Sequence, residues 1–236
     1  MASMSGSAVL EKAVRTVAVL APLALASGCM TATLEENRNL DTKIAEGEAV
    51  VLLAKPHVEG TSAEDDFMDC VGSKMAGRAG IRVQPNNDFQ DSMFPWFEPS
   101  TAPQRPEGVA QLLAKPAVRQ RMEENGVRYI VWVDGLTRQT DSGGSISCAI
   151  GPGGGGCIGF GWWEKESDYD AIVWDLEEAK SAGSVSTNVT GTSALVGAIV
   201  PLPFIARVQG TACDRLAEQL GAFLHGQDAS AAPAGT

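Results

Sequence analysis

A short apolar segment near the N-terminus constrains this chain more than any other feature. Lys12 and Arg15 precede an apolar run at residues 16–26, and small residues follow it. The run is about half of the roughly 20 residues that cross a bilayer as a helix, so it does not predict a stable transmembrane segment. Its layout is that of an export signal. We therefore predict that residues 1–28 are removed as a signal peptide and that the rest folds in an oxidising compartment.

The apolar run leads directly to a cysteine, in the order Leu25-Ala26-Ser27-Gly28-Cys29. This stretch resembles the lipobox of bacterial lipoproteins, with Ala26 at the place where that family prefers leucine. The resemblance implies that the Cys29 thiol carries acyl chains such as palmitate, which would anchor the protein to a membrane. Met30 follows the cysteine, and the sorting rule of these lipoproteins then implies the periplasmic face of the outer membrane. An ordinary signal cut near residues 24–27, which would give a soluble periplasmic protein, is the alternative.

Four cysteines remain if Cys29 carries lipid, and this even number suits disulfide formation. Cys148 and Cys157 flank a glycine-rich stretch that lacks the Gly-Lys-Ser/Thr ending of a phosphate-binding loop, so a disulfide-closed hairpin is predicted there. Cys70 and Cys213 are then predicted to pair, since the first and last helices of such a sheet are often neighbours. A four-cysteine metal site is the alternative, but no Cys-x-x-Cys pair is present. We therefore predict neither a metal nor a cofactor.

The charge balance argues against one class of partner. The chain has 18 basic and 29 acidic residues, for a net charge of −11. Such a surface repels nucleic acid, so nucleic acid is not a predicted partner.

The mature chain is predicted to have three parts. Residues 29–47 are polar and predict a lipidated, flexible tether, and residues 227–236 predict a disordered tail. Between them, residues 48–226 predict a single periplasmic domain of ordinary size.

Hydrophobic periodicity predicts the elements of this domain. Residues 49–54 form a continuous apolar run that indicates a buried strand, and Phe67, Val71 and Met75 mark one face of a helix. A second helix begins near Val109, restarts at Pro116 and stops at Gly126. Further strands are predicted at 81–85, 127–133, 145–150, 157–163, 169–176 and 184–190, and a last helix at 211–224.

The order of these elements predicts an α+β fold with an α/β start. It reads β-α-β-α-β, then a β-meander and a C-terminal helix, which indicates a single mixed β-sheet with helices mainly on one face. This order over roughly residues 48–225, with Val173-Trp174-Asp175-Leu176 and Gly183-Ser184-Val185, resembles the periplasmic domains of curli-secretion and penicillin-binding-protein-activator lipoproteins. The resemblance implies an envelope protein of this fold, and it includes no diagnostic motif.

Four carboxylates alternate along the chain at Glu164, Glu166, Asp168 and Asp170. On one strand they would share a face that suits calcium or a basic partner. However, Ile172, Trp174 and Leu176 continue the same alternation as core residues. We therefore predict a turn near residues 165–168 that breaks the register and leaves the carboxylates in a solvated loop.

No catalytic residue is predicted. The chain has two histidines, His57 in a loop and His225 at the end of the last helix, and neither lies near a recognisable nucleophile. Because acidic residues are numerous, a pair of carboxylates that acts on glycosides remains an open alternative. We predict that the protein is not an enzyme.

Two apolar loops are the predicted places for partner binding. Residues 89–99 and 195–205 are unusually apolar for loops, and they include Phe94, Trp96, Phe97 and Phe204. These side chains either fold over the sheet as core or form an exposed patch that docks a partner.

Three functions are consistent with these patterns. The first is a membrane-anchored envelope lipoprotein that binds or scaffolds an envelope protein. The second is a periplasmic, carboxylate-dependent hydrolase of envelope carbohydrate, and the third is a subunit of a secretion assembly, which the curli resemblance implies. The sequence does not predict the oligomeric state.

Overall fold

The computed structural model describes residues 30–55, 63–98, 100–103, 106–151, 154–197 and 202–227. Cys29, His57 and residues 228–236 of the predicted tail lie outside these ranges. The described residues form seven strands and five helices. In chain order these are β1 (Met30–Arg38), β2 (Ala49–Ala54), α1 (Asp65–Ala79), β3 (Arg82–Gln84), α2 (Asn86–Ser92), α3 (Pro106–Leu113), α4 (Pro116–Asn125), β4 (Val127–Gly151), β5 (Gly154–Asp175), β6 (Lys180–Gly197), β7 (Leu202–Phe204) and α5 (Val208–Leu224).

The chain divides into two compact units. The first, which we call the body, comprises the described residues of 31–138, 166–190 and 207–227. The second, which we call the hairpin unit, comprises the described residues of 139–165 and 191–206 together with Met30.

The strands form one mixed sheet, and the predicted α+β class is confirmed. The strand order is β1-β6-β5-β4-β2-β3, and β7 pairs with β6. β2 pairs in parallel with both β3 and β4, whereas β6 and β7 are antiparallel. The apolar run of β2 is almost fully buried, as expected for a parallel strand with neighbours on both sides.

The helices of the body cover both faces of its part of the sheet. Successive residues of a strand point to opposite faces, and the two faces of β2 meet different helices. Leu52 lies beside Gly72 of α1, and α1 also stacks Phe67 on Tyr169 of β5, with ring centroids 3.5 Å apart. On the opposite face, Leu53 belongs to a buried cluster to which α2, α3 and α4 contribute side chains. The helices are therefore shared between the faces, where we expected most of them on one.

The helices follow their predicted patterns. Phe67, Val71 and Met75 are the buried face of α1, which confirms the stripe. The second predicted helix is split into α3 and α4, with Pro116 starting α4. Gly126 ends α4 at φ 64°, a left-handed conformation that glycine adopts without steric cost.

The structure differs from the prediction at residues 30–47. A flexible tether was expected, yet residues 30–38 form β1 at one edge of the sheet. The next residues are also bonded to the body, since the amides of Asn39 and Leu40 both donate to the carbonyl of Ala182, at 2.8 and 3.1 Å. The physical reason is visible in the strand, where β-branched Thr31 and Thr33 alternate with apolar residues.

The predicted β-meander is present, since β4, β5 and β6 are neighbours in chain order, but each is a single long strand where shorter strands were expected. Glycines that indicated turns instead permit close approach of two strands. Gly135, at φ 136°, shows this: a Cβ there would overlap the carbonyl oxygen of Asp168 on β5.

Candidate binding surfaces and polar clusters

The disulfide predicted between the first and last helices is present. Cys70 of α1 and Cys213 of α5 are bonded, with their Cα atoms 6.2 Å apart. Cys148 is also disulfide-bonded, and the side chain of its predicted partner Cys157 lies outside the described part of the chain. The body is therefore closed covalently across a sequence separation of 143 residues.

The aromatic patch predicted from the sequence is not assembled as expected. Phe97 is only 1% exposed and meets Phe89 edge to face, with ring centroids 5.0 Å apart. Phe89, Met93 and Phe97 follow one another at intervals of four residues and are all buried. α2 ends at Ser92, and Phe97, in the turns that follow, is buried in the same cluster as Phe89 and Met93; its reading as a core residue is therefore correct and its assignment to a docking surface was wrong.

The other members of that patch have different environments. Phe94 is 62% exposed. Trp96 is partly buried, with the guanidinium of Arg121 over its ring at 5.9 Å. The side chain of Phe204 lies outside the described part of the chain. Of the four predicted residues, Phe94 alone is shown to be fully open to a partner.

The hairpin unit carries exposed apolar side chains that the sequence analysis missed. Ile158 is 68% exposed and Phe160 is 47% exposed, and Ile205 is exposed as well. Ile158 and Phe160 are two residues apart on β5 and therefore point to the same face. A signal was available, since residues 142–163 and 181–206 contain no Asp, Glu, Lys or Arg in a chain that is 20% charged.

The alternating carboxylates lie on a strand, so the predicted turn near residues 165–168 is wrong. β5 continues from Gly154 to Asp175. Ser167 and Tyr169 are fully buried on one face, while Glu166, Asp168 and Asp170 occupy the other. The same side of β5 carries Trp174 farther along, where the cluster formed with α2, α3 and α4 covers it. One strand face is thus open along one part and covered along another.

These carboxylates differ in electrostatic environment. Hydrogen bonds from Asn188 at 2.8 Å and Arg138 at 2.9 Å lower the pKa of Glu166 below its ordinary value. Partial burial, and then the charges of Asp170 and Glu166, raise the pKa of Asp168. Across the described residues, no three His, Cys, Asp or Glu side chains are grouped so that they could hold a metal ion.

A buried polar network ties α1 to the sheet. The Tyr169 hydroxyl donates to Glu64 Oε2 at 2.5 Å and lies 3.0 Å from Thr137 Oγ1, which is 2.7 Å from Ser167 Oγ. The backbone amide of Thr137 donates to the second oxygen of Glu64 at 3.1 Å. Burial, and then the bond to Glu64, raise the pKa of Tyr169 well above its ordinary value. The phenol therefore stays protonated and acts as a structural donor.

The body also contains a cavity of about 580 Å³, lined by apolar side chains such as Met122 and Leu176 and by charged ones, among them the carboxylates Glu48, Glu123 and Glu177. Arg128 at its edge bonds to the buried carboxylate of Asp175 and lies 3.2 Å from Glu177. Asp168, the described carboxyl with a raised pKa, is not among the residues that line this cavity.

Two further observations concern residues considered for catalysis and membrane crossing. His225 Nε2 lies 2.9 Å from the carbonyl oxygen of Ala79, which places this imidazole against the end of α1.

In the part of the chain that the structure describes, no helix has the length and apolar character needed to cross a bilayer.

Comparison with solved structures gives distant neighbours, two of which are described below. No family model and no curated protein matches the chain. The PelC dodecamer from Paraburkholderia phytofirmans is similar, with 13% identity and a TM-score of 0.43 over 84% of this chain and 100% of the PelC chain. A point variant of that dodecamer is similar at 10% identity and a TM-score of 0.42, over 81% and 98% of the two chains. Likeness of this strength does not indicate function, partners or oligomeric state.

Proposed function

We propose that this protein is a bacterial lipoprotein that binds an envelope partner protein through its hairpin unit. In this proposal Cys29 carries the lipid, and the protein is held at the periplasmic face of the outer membrane. The observation that carries the binding role is the pair of exposed apolar side chains, Ile158 and Phe160, on a strand segment without charges.

The lack of charge in this segment supports binding rather than permanent exposure. The exposed surface of a soluble protein usually carries charged side chains among its apolar ones, and an apolar patch without them is typical of an interaction site. Residues 142–163 have none, although the chain as a whole has 29 acidic residues. Contact with a partner would remove Ile158 and Phe160 from water, and each side chain that becomes fully buried contributes roughly 1.5–3 kcal/mol.

The chemistry of the surface favours protein as the partner. The net charge of −11 repels nucleic acid and other polyanions. The apolar side chains that this uncharged segment presents on one face fit an apolar protein surface.

Crosslinking in intact cells tests the binding role. We expect photo-crosslinkers at residues around Phe160 to capture a specific protein, and the double substitution of Ile158→Thr with Phe160→Thr to abolish that capture. Threonine keeps the preference for strand structure, so the change removes apolar surface without breaking β5. Ser147→Thr, at an exposed polar position of the same unit, is the matched control and should leave capture unchanged.

A parallel variant tests the alternative surface. Phe94→Ser removes the exposed phenylalanine of the patch predicted from the sequence. Loss of capture with Phe94→Ser but not with the hairpin substitutions would move the binding site to the body and overturn the proposal.

Intact mass tests the lipid. Protein extracted from membranes with detergent should begin at residue 29 and carry the mass of acyl chains, and Cys29→Ser should release it from the membrane fraction. An uncut chain, or one cut at residues 24–27 without lipid, would contradict the anchor while leaving the binding surface open to test.

A further inference from the structure

We infer that β1 lies directly against the membrane, with Leu34 in contact with the lipid, so that the body is held at the bilayer surface without a linker. This inference rests on the proposed acylation of Cys29. It concerns which part of the anchored protein contacts the bilayer, which the proposed function does not specify.

The first observation is the absence of any spacer. β1 begins at Met30, the residue that follows Cys29. Flexible linkers of Gly/Ser type extend by roughly 5–6 Å times the square root of their length, and that freedom lets an anchored domain move away from its lipid. Here every residue between the cysteine and the body belongs to the strand.

The second observation is the firm attachment of the far end of β1. Arg38 Nη1 donates to Thr42 Oγ1 and to the carbonyl of Phe223, both at 3.0 Å, and Nη2 donates to the carbonyl of Gln227 at 2.6 Å. The same guanidinium lies 4.3 Å from the centroid of the Phe223 ring. A nine-residue extended strand spans about 30 Å at most, so the lipid is confined to that distance from Arg38.

The third observation is the character of the exposed side chains. Leu34 is 41% exposed on β1, which is an edge strand of the sheet, and Met30 at its start is also exposed. If Cys29 is acylated, these apolar side chains lie close enough to the membrane to contact its hydrocarbon region. The acidic chain is repelled by anionic headgroups, so the inference specifies a zwitterionic lipid surface.

Electron paramagnetic resonance tests this arrangement. A nitroxide-bearing amino acid is placed at position 34 or at position 35, in full-length lipidated protein in phosphatidylcholine vesicles. Glu35 is exposed and points to the opposite face of the strand, so it is the matched control. We expect position 34 to shift toward collision with oxygen and away from a water-soluble nickel complex, and position 35 to remain accessible to nickel.

A second variant tests whether the contact of position 34 with lipid depends on the direct connection between β1 and Cys29. Insertion of about 20 Gly/Ser residues after Cys29 gives the body roughly 25 Å of freedom, and should return position 34 to an aqueous signal while lipid mass is unchanged. Equal aqueous signals at positions 34 and 35 in lipidated protein without the insertion would overturn the inference. So would spin–spin broadening at position 34, which would assign this strand to a second copy of the chain.

The two proposals fail in distinguishable ways. If intact mass shows no lipid on Cys29, the anchor of the proposed function is lost. If lipid is present and position 34 is aqueous, the anchor stands and only the contact of β1 with the bilayer is lost.

Discussion

The body and the hairpin unit contain strands of the same sheet, but they differ in how far their apolar side chains are exposed to water. In the body, apolar side chains such as Phe97 and Tyr169 are removed from water, and charges lie outside or in pairs such as Arg128 with Asp175. In the hairpin unit, Ile158 and Phe160 face water on a segment without charges. The difference is that most large apolar side chains of the body are buried, whereas Ile158 and Phe160 of the hairpin unit are exposed on the surface that we propose a partner covers.

The disulfides give the largest expected difference between the two units. Replacing both Cys70 and Cys213 by serine should lower the free energy of unfolding of the body by about 4–5 kcal/mol, because the bond closes a very long loop. Urea unfolding followed by tryptophan fluorescence measures the change.

The matched control is Cys148→Ser with Cys157→Ser in the hairpin unit. It should leave the unfolding midpoint of the body nearly unchanged, because the predicted Cys148–Cys157 bond closes a short loop that lies wholly within the hairpin unit. Equal losses from both pairs of substitutions would break the distinction between a self-stabilised body and a separate hairpin unit.

Two phenylalanines test the same distinction at the level of packing. Phe97→Ala should destabilise the body by about 3–5 kcal/mol, because it leaves a cavity beside Phe89 and Met93. Phe160→Ala should change the free energy of unfolding by no more than about 0.5 kcal/mol, because that ring is half exposed. Chemical denaturation of both variants, with Phe94→Ala as an exposed control from the same turn as Phe97, measures the contrast.

The smallest expected effect concerns the carboxylates of β5. Because the pKa of Asp168 is raised in the folded protein, its charge opposes folding at neutral pH, and Asp168→Asn should stabilise the body by a few tenths of a kcal/mol. This gain should shrink as the pH falls through the raised pKa, where the native carboxyl takes up a proton.

Glu166 is the matched control with the opposite sign. Its pKa is lowered by Asn188 and Arg138, so its contribution to stability is present at neutral pH and is lost as the pH falls through that lowered pKa. Glu166→Gln should therefore destabilise slightly at neutral pH. Stability curves for both variants between acidic and neutral pH check the signs, and the same sign for both would contradict this account of the strand face.

Much of the body could be predicted from local patterns. The stripe of Phe67, Val71 and Met75 predicts α1, and Pro116 and Gly126 mark the ends of α4, because these signals act within one or two turns of a helix. The pairing of Cys70 with Cys213 was predicted from the expected proximity of two helices and is confirmed. The apolar run of β2 also contained the information that both sheet faces are covered, since such runs are typical of strands buried on both sides.

The long strands were not predictable in the same way. Gly135 has a positive φ inside β4 because β5 approaches too closely for a side chain, and sequence alone does not distinguish this from a turn. Phe97 was assigned to a docking surface although a core position was the alternative interpretation of its apolar loop. The exposed residues of the hairpin unit were missed because the absence of charge was not weighed as a signal.

Arg38 has a mechanical consequence. It joins the end of β1 to the last turn of α5, and α5 is bonded through Cys213 to α1. A force applied at the start of β1 would therefore act both on the pairing of β1 with β6 and, through this guanidinium, on two crosslinked helices. The carbonyl of Gln227, just after α5, accepts a hydrogen bond from the same arginine, so a force applied at the end of α5 would also act at this guanidinium.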